Sequence, residues 1–122
     1  MKCTVVTNNP KSERLKGIQL LWVDGNAVAV LKQARALLLE GGQLVLDPMA
    51  GHLARPNPFL TIAVEPCPQG GYSGEDILRL EYLVNMYKYK CPHVLDSQSF
   101  SIRLLEDYAE LDFSLAASGL KE

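Results

Sequence analysis

Two side chains of one loop have the chemistry of an acid–base pair. Asp47 and His52 lie five residues apart in a segment rich in proline and glycine. A carboxylate can orient an imidazole and bring its titration near neutral pH, which suits general acid–base catalysis. A lone loop histidine also serves as a solvated or capping side chain, and no nucleophile motif or phosphate-binding loop accompanies the pair. Asp47 and His52 are therefore candidate catalytic residues with a structural alternative.

Polar residues at two predicted strand ends form a second candidate site. The amides after the first strand donate and accept hydrogen bonds, a short helix after Pro10 offers free backbone N–H groups, and an arginine adds positive charge. Together they suit a small anion or a carboxylate. The same Asn-Asn-Pro run also serves as a turn and a helix cap without any ligand. The candidate ligand-binding residues are Asn8, Asn9, Gly51, Arg55 and Asn57.

The cysteines and histidines do not indicate a metal site. Cys91 and His93 are close in the sequence, with Cys67 and His52 elsewhere. Their spacing is not that of closed structural zinc sites, so we expect no metal and no other cofactor. The chain has three cysteines, widely spaced and without a CxxC pair. This favours free thiols in a reducing compartment.

Four strands are predicted to carry these residues. Cys3 to Thr7 is a β-branched run stopped by turn residues, and Ile18 to Val23 is a second apolar run after room for a short helix. Leu44-Val45-Leu46 lacks polar alternation, which is typical of a strand covered on both faces in a parallel sheet. Asp47 to Pro58 must be a loop, and Phe59 to Val64 is the fourth strand.

Three amphipathic helices are predicted from apolar residues at three- and four-residue spacing. Asn26 can cap the first, Glu75 or Asp76 starts the second, and Asp96 or Ser97 can cap the third. The predicted buried positions are Val28, Leu31, Ala34 and Leu38 in the first helix, Ile77, Leu80, Leu83, Val84 and Tyr87 in the second, and Ile102, Leu105, Tyr108 and Leu111 in the third.

This order of elements predicts an α/β fold in one domain over residues 1–122. We expect a three-layer α/β sandwich with a mostly parallel sheet of about four strands, Rossmann-like or flavodoxin-like. Ligands of such sheets bind beyond the carboxyl ends of the strands. If the first and third strands are neighbours, Thr7 to Pro10 and Asp47 to Asn57 face one crevice.

Composition excludes several classes of function. The net charge is −2 and the lysines and arginines are scattered, so no positive field attracts nucleic acid. The apolar run at the N-terminus ends at Asn8, too short for a signal peptide or a membrane span. We expect a cytoplasmic protein that contacts neither nucleic acid nor a membrane.

Four stretches of the chain, in this order, resemble the GrdX family over nearly the full length. They are Thr7-Asn8-Asn9-Pro10; Val30-Leu31 to Leu37; Leu46 to Gly51 with Pro56-Asn57; and Leu105-Glu106-Asp107-Tyr108 with Leu111-Asp112-Phe113-Ser114-Leu115. The resemblance implies a small protein encoded beside the components of glycine reductase, the selenoprotein system of amino-acid-fermenting anaerobes. It implies no reaction. The chain departs from the family pattern at Asp47, His52 and Arg55.

Three functions remain open from the sequence. The first is an accessory protein that binds a glycine reductase component or a small anionic ligand at the crevice. The second is an enzyme acting on a small carboxylate or phosphate compound, with Asp47 and His52 as its acid–base pair. The third is a protein that self-assembles into a homo-oligomer through its last helix.

Overall fold

The computed structural model describes residues 3–46, 57–68 and 70–120. Within them, four strands form one sheet in the spatial order β2-β1-β4-β3. The strands are β1 (Thr4–Thr7), β2 (Gln19–Trp22), β3 (Gly42–Leu44) and β4 (Thr61–Pro66). The third strand begins and ends about two residues before its predicted bounds, and the fourth begins and ends two residues after them.

The sheet is mixed, so the predicted mostly parallel, Rossmann-like or flavodoxin-like sheet is wrong. β1 and β2 are parallel, whereas β4 runs antiparallel to both β1 and β3. A parallel connection needs a crossover, usually a helix. No helix separates β3 from β4 among the described residues, and the chain returns in the opposite direction.

The first and third strands are not neighbours, because β4 lies between them, so the condition set for a shared crevice is not met. Since β1 and β3 are both antiparallel to β4, they run in the same direction. Their carboxyl ends therefore point to one end of the sheet, where β4 begins.

Three α-helices and several short helical turns complete the described fold. The helices are α1 (Ala27–Leu39), α2 (Gly74–Asn85) and α3 (Ile102–Leu120). The predicted cap of α1 is confirmed, since the Asn26 side chain accepts a hydrogen bond from the Ala29 N–H at 3.0 Å. Short turns span Pro10–Arg14, Met86–Lys90, Pro92–Leu95 and Ser97–Ser99. No helix in the described ranges is long and apolar enough to cross a bilayer.

One face of the sheet packs against α1 and α2 to form the apolar core. Val6, Ile62 and Val64 point to this face and are almost fully buried. At the surface of the protein, Arg35 of α1 and Glu81 of α2 form a salt bridge, with 2.6 Å between Nε and Oε1. The helical members of the core include Val30, Leu31, Ala34, Leu38, Leu80, Leu83 and Tyr87.

Helix α3 covers the opposite face, and its fully buried residues are not those of the predicted stripe. Its buried residues are Ala109, Asp112 and Ala116. By contrast, Ile102 is 84% exposed and Leu111 is 45% exposed. Small side chains let the helix approach the sheet closely, and a larger apolar stripe would hold it away. The stripe predicted from apolar spacing is therefore wrong at Ile102 and Leu111, whereas Leu105 and Tyr108 are partly buried.

The outer edge of β3 is closed by a side chain of α2. The Leu44 N–H points away from β4 and donates to Asp76 Oδ2 at 2.9 Å. Asp76 is itself held at the start of α2, where its N–H donates to the Ser73 hydroxyl at 3.3 Å. This contact satisfies an edge N–H that would otherwise be available to another strand.

We expect Asp76→Ala to lower the free energy of unfolding by about 1–3 kcal/mol, because it leaves the Leu44 N–H without an acceptor. Asp76→Asn keeps an acceptor oxygen and is the matched control. Chemical denaturation of the two variants distinguishes them. Equal destabilisation by Ala and Asn would show that the loss comes from charge and not from this hydrogen bond.

Candidate functional site

Polar side chains converge where β1 ends and β4 begins. Thr7 is the last residue of β1 and lies opposite Thr61, the first residue of β4. Asn8 and Asn9 follow β1, and Asn57 precedes β4. All five side chains belong to buried residues, which is unusual for amides and hydroxyls and requires hydrogen-bond partners.

Five of the buried polar residues form what we call the Asp112 cluster: Thr7, Asn9, Ser12, Thr61 and Asp112. Asp112 Oδ2 accepts from the Thr61 hydroxyl at 2.6 Å and from the Asn9 amide at 2.8 Å. The Thr61 and Thr7 hydroxyls are 2.9 Å apart, and those of Thr7 and Ser12 are 3.2 Å apart. The cluster joins β1, β4 and the short helix Pro10–Arg14 to α3.

The hydroxyl protons of this cluster have one consistent direction when Asp112 is ionised. Thr61 donates its single proton to the carboxylate, so its oxygen accepts from Thr7. The Thr7 oxygen in turn accepts from Ser12 and from the Asn9 N–H, the latter at 3.0 Å. Each donor thus points toward the buried charge.

The amides of Asn8 and Asn57 are also bonded to the protein. Asn8 Nδ2 donates to the Gly25 and Pro58 carbonyls, each at 3.1 Å, and its Oδ1 accepts from the Leu60 N–H at 2.9 Å. Asn57 Nδ2 donates to the Tyr108 carbonyl of α3 at 2.9 Å. These bonds fix the loops around the strand ends.

The predicted site residues are therefore brought together only in part. Asn8, Asn9 and Asn57 meet at one end of the sheet, with their amides engaged by other parts of the chain. Asp47, Gly51, His52 and Arg55 lie outside the described residues. Ligand binding and acid–base chemistry by these residues stay predictions. Within the described ranges, no group of three or more His, Cys, Asp or Glu side chains is arranged to hold a metal ion.

Burial controls the electrostatics of this region. Burial raises the pKa of Asp112, and the hydrogen bonds from Thr61 and Asn9 only partly oppose that effect. Burial also raises the pKa of Tyr87, whose hydroxyl donates to the Asn57 carbonyl at 2.7 Å. At the surface, the hydrogen bond from Arg14 lowers the pKa of Glu110.

A crevice of about 320 Å³ lies directly beside the Asp112 cluster, between the short helix Pro10–Arg14 and the first half of α3. Its two charged residues are Lys11 and Glu106, whose side chains are 3.7 Å apart. Its other lining residues are all apolar: Pro10, Phe59, Ile102, Leu105 and Ala109. This arrangement can receive an apolar group while offering one charge of each sign at its rim.

The sequence prediction missed Asp112, Thr61 and Ser12. A signal for Asp112 was present, since it lies three residues after Ala109 and four before Ala116 on one helical face. Its donors are not local: Thr61 and Asn9 are 51 and 103 residues away along the chain. Nothing in the spacing identifies such partners.

The family model described as GrdX-like protein matches residues 4–121 of the chain. This confirms the resemblance drawn from the sequence. Neither the comparison with curated proteins nor that with solved structures found a match.

We expect Thr61→Val to lower the free energy of unfolding by about 1–3 kcal/mol, because it removes a donor to a buried carboxylate. Thr4→Val is the control, since Thr4 is a half-buried residue of β1 outside the Asp112 cluster. Urea unfolding compares the two. Equal effects of both substitutions would contradict a special role for the Thr61 hydroxyl.

We expect the stability of the wild-type protein to fall, relative to Asp112→Asn, as the pH rises above about 4, the ordinary value for an aspartate. The folded protein holds the Asp112 proton at pH values where the unfolded chain has released it, because burial raises the pKa. This stabilisation is complete below the unfolded pKa and is lost as the pH rises through the folded pKa. Unfolding curves at several pH values test it, and parallel pH profiles for the two proteins would contradict it.

Proposed function

The chain belongs to the GrdX-like protein family, and from that premise we propose that it is an accessory protein that binds a protein partner in the crevice beside the Asp112 cluster. The proposed partner is a component of glycine reductase. One observation carries the proposal. The polar side chains at the strand ends are bonded to the protein itself, and the recess next to them is lined mainly by apolar groups.

The lining of the crevice suits an apolar side chain of another protein. Ile102 is highly exposed at its mouth, and Leu105 and Phe59 are partly buried inside it. Apolar anchors that fill such recesses supply much of the affinity of protein interfaces. Lys11 and Glu106 at the rim add charges of both signs, which favour one orientation of the partner.

The crevice is also preformed, because salt bridges and a cation–π contact fix the elements around it. Lys11 forms a second salt bridge, to Glu110 at 3.4 Å, and Arg14 contacts the same carboxylate at 2.9 Å. The Arg14 guanidinium lies 4.2 Å from the centre of the Phe113 ring. Exposed ion pairs contribute little singly. Together with the Asp112 cluster beneath them, they fix the short helix against α3, and a preformed site loses less entropy on binding.

The alternative ligand, a small anion, has less support in the described residues. The three asparagines predicted to bind it use their amide groups within the chain. The crevice offers Lys11 as a cation, but Glu106 stands beside it. An apolar group flanked by charges is the better match.

We expect Ile102→Glu to weaken binding to a glycine reductase component by about tenfold or more, because a charge replaces the apolar group at the crevice mouth. Leu78→Glu is the matched control, since Leu78 is 70% exposed on α2, away from the crevice. Binding of each purified component to the immobilised protein measures the effect.

Failure of every component to bind the wild-type protein would contradict the proposed partner. Equal binding by wild type and Ile102→Glu would contradict the crevice as the binding surface. Neither substitution touches the core, so thermal unfolding of both variants should match that of the wild type.

A further inference from the structure

Strand β2 is an edge strand that lacks the usual protection. It consists of Gln19-Leu20-Leu21-Trp22, with no proline and no charge. Leu20 is 39% exposed and Trp22 is 49% exposed. Edge strands of monomeric proteins are commonly blunted by a charge, a proline or a covering element, because their open backbone groups pair with other strands.

Among the described residues, β2 pairs with another strand on one side only. The N–H groups of Gln19 and Val23 donate to the Cys3 and Thr7 carbonyls, at 2.9 and 2.8 Å. Backbone groups alternate in direction along a strand. Those of Leu20 and Trp22 therefore point away from β1, toward an edge where the described residues supply no further strand.

The opposite edge of the sheet, strand β3, is covered in part by a side chain of α2. There the Leu44 N–H is satisfied by Asp76, as described above. At one edge a carboxylate thus satisfies a backbone N–H, whereas at the other the described residues leave an apolar strand with unpaired outward groups. The β2 edge is therefore the side of the sheet to which another strand can add.

We propose that β2 pairs antiparallel with β2 of a second copy of this chain, so that two sheets join into one across a two-fold axis. An interface of this kind is isologous: the same strand of both copies forms it, so the strand must be complementary to itself. With Leu20 on the axis, it lies opposite the second copy's Leu20, and Trp22 lies opposite the second copy's Ile18. In this register the outward N–H and C=O groups of Leu20 and Trp22 find partners.

The side chains of this register are self-complementary. Leu20 and Trp22 pair with Val5 and Thr7 of β1, so they lie on the face of the sheet that α3 covers. Across the axis Leu20 meets a leucine and Trp22 meets an isoleucine. Aromatic and branched cross-strand pairs of this kind stabilise antiparallel sheets.

The charges at the two ends of the strand are complementary as well. Lys16 precedes β2 and Asp24 follows it, and both residues are exposed. In an antiparallel pair the Lys16 end of one strand meets the Asp24 end of the other, twice by symmetry. A parallel arrangement would instead bring like charges together. Charge therefore favours the antiparallel over the parallel pairing of two copies.

Sedimentation equilibrium from about 1 μM to about 1 mM tests the proposal, and the wild type should pass from monomer to dimer within this range. Trp22 is the chain's single tryptophan, so its fluorescence should shift to shorter wavelength over the same concentrations. Leu20→Lys should weaken the dimer at least tenfold. Leu20→Pro should do the same, because it removes an N–H that does not bond to β1.

Charge reversal at Lys16 and Asp24 tests the proposed dimer independently. Lys16→Asp and Asp24→Lys should each weaken the dimer, and the double reversal should restore it. Leu111→Lys, on the exposed flank of α3, should leave the dimer unchanged.

A wild-type protein that stays monomeric to the highest concentration overturns the proposal. So does a dimer that survives both Leu20 substitutions, or one that is lost in Leu111→Lys, which would place self-association on α3.

Discussion

A carboxylate buried in a protein must be surrounded by donors or give up its charge, and Asp112 is held under this constraint. Removing a carboxylate from water costs about several kcal/mol, even after the surrounding protein has relaxed around the charge. Asn9 and Thr61 come from two different strand ends to donate to its Oδ2. Because their positions depend on the pairing of β1 with β4, the helix that carries Asp112 can dock only on a correctly formed sheet.

The remaining features of this side of the molecule follow from that docking. Asn57 reaches the Tyr108 carbonyl, and Asn9 reaches the Ala109 carbonyl, so two loops bond to the same turn of α3. The Lys11 and Arg14 salt bridges then fix the short helix beside it. The apolar crevice is the space that these contacts leave. Asn9 and Asn57 thus help to shape a neighbouring recess by holding their loops against α3.

Local features of the fold could be predicted from the sequence, and long-range ones could not. The Asn26 cap and the buried face of α1 follow from spacing within a few residues. The direction of β4 could not be deduced from its apolar run, because helices on both faces bury antiparallel and parallel strands alike. The prediction for α3 fails at Ile102 and Leu111 because the buried face of this helix carries alanines and an aspartate instead of large apolar residues. Asn8, Asn9 and Asn57 lie at one end of the sheet although β1 and β3 are not neighbours, and ligand binding by them stays a prediction.

Amide hydrogen exchange of the wild type and of Asn9→Ala tests most directly whether the Asp112 cluster holds α3 on the sheet. If it does, the variant loses protection along α3 and in the short helix Pro10–Arg14, while the amides of α1 keep theirs. Unchanged protection of α3 in the variant, or an equal loss across α1 and α3, would contradict this role of the cluster.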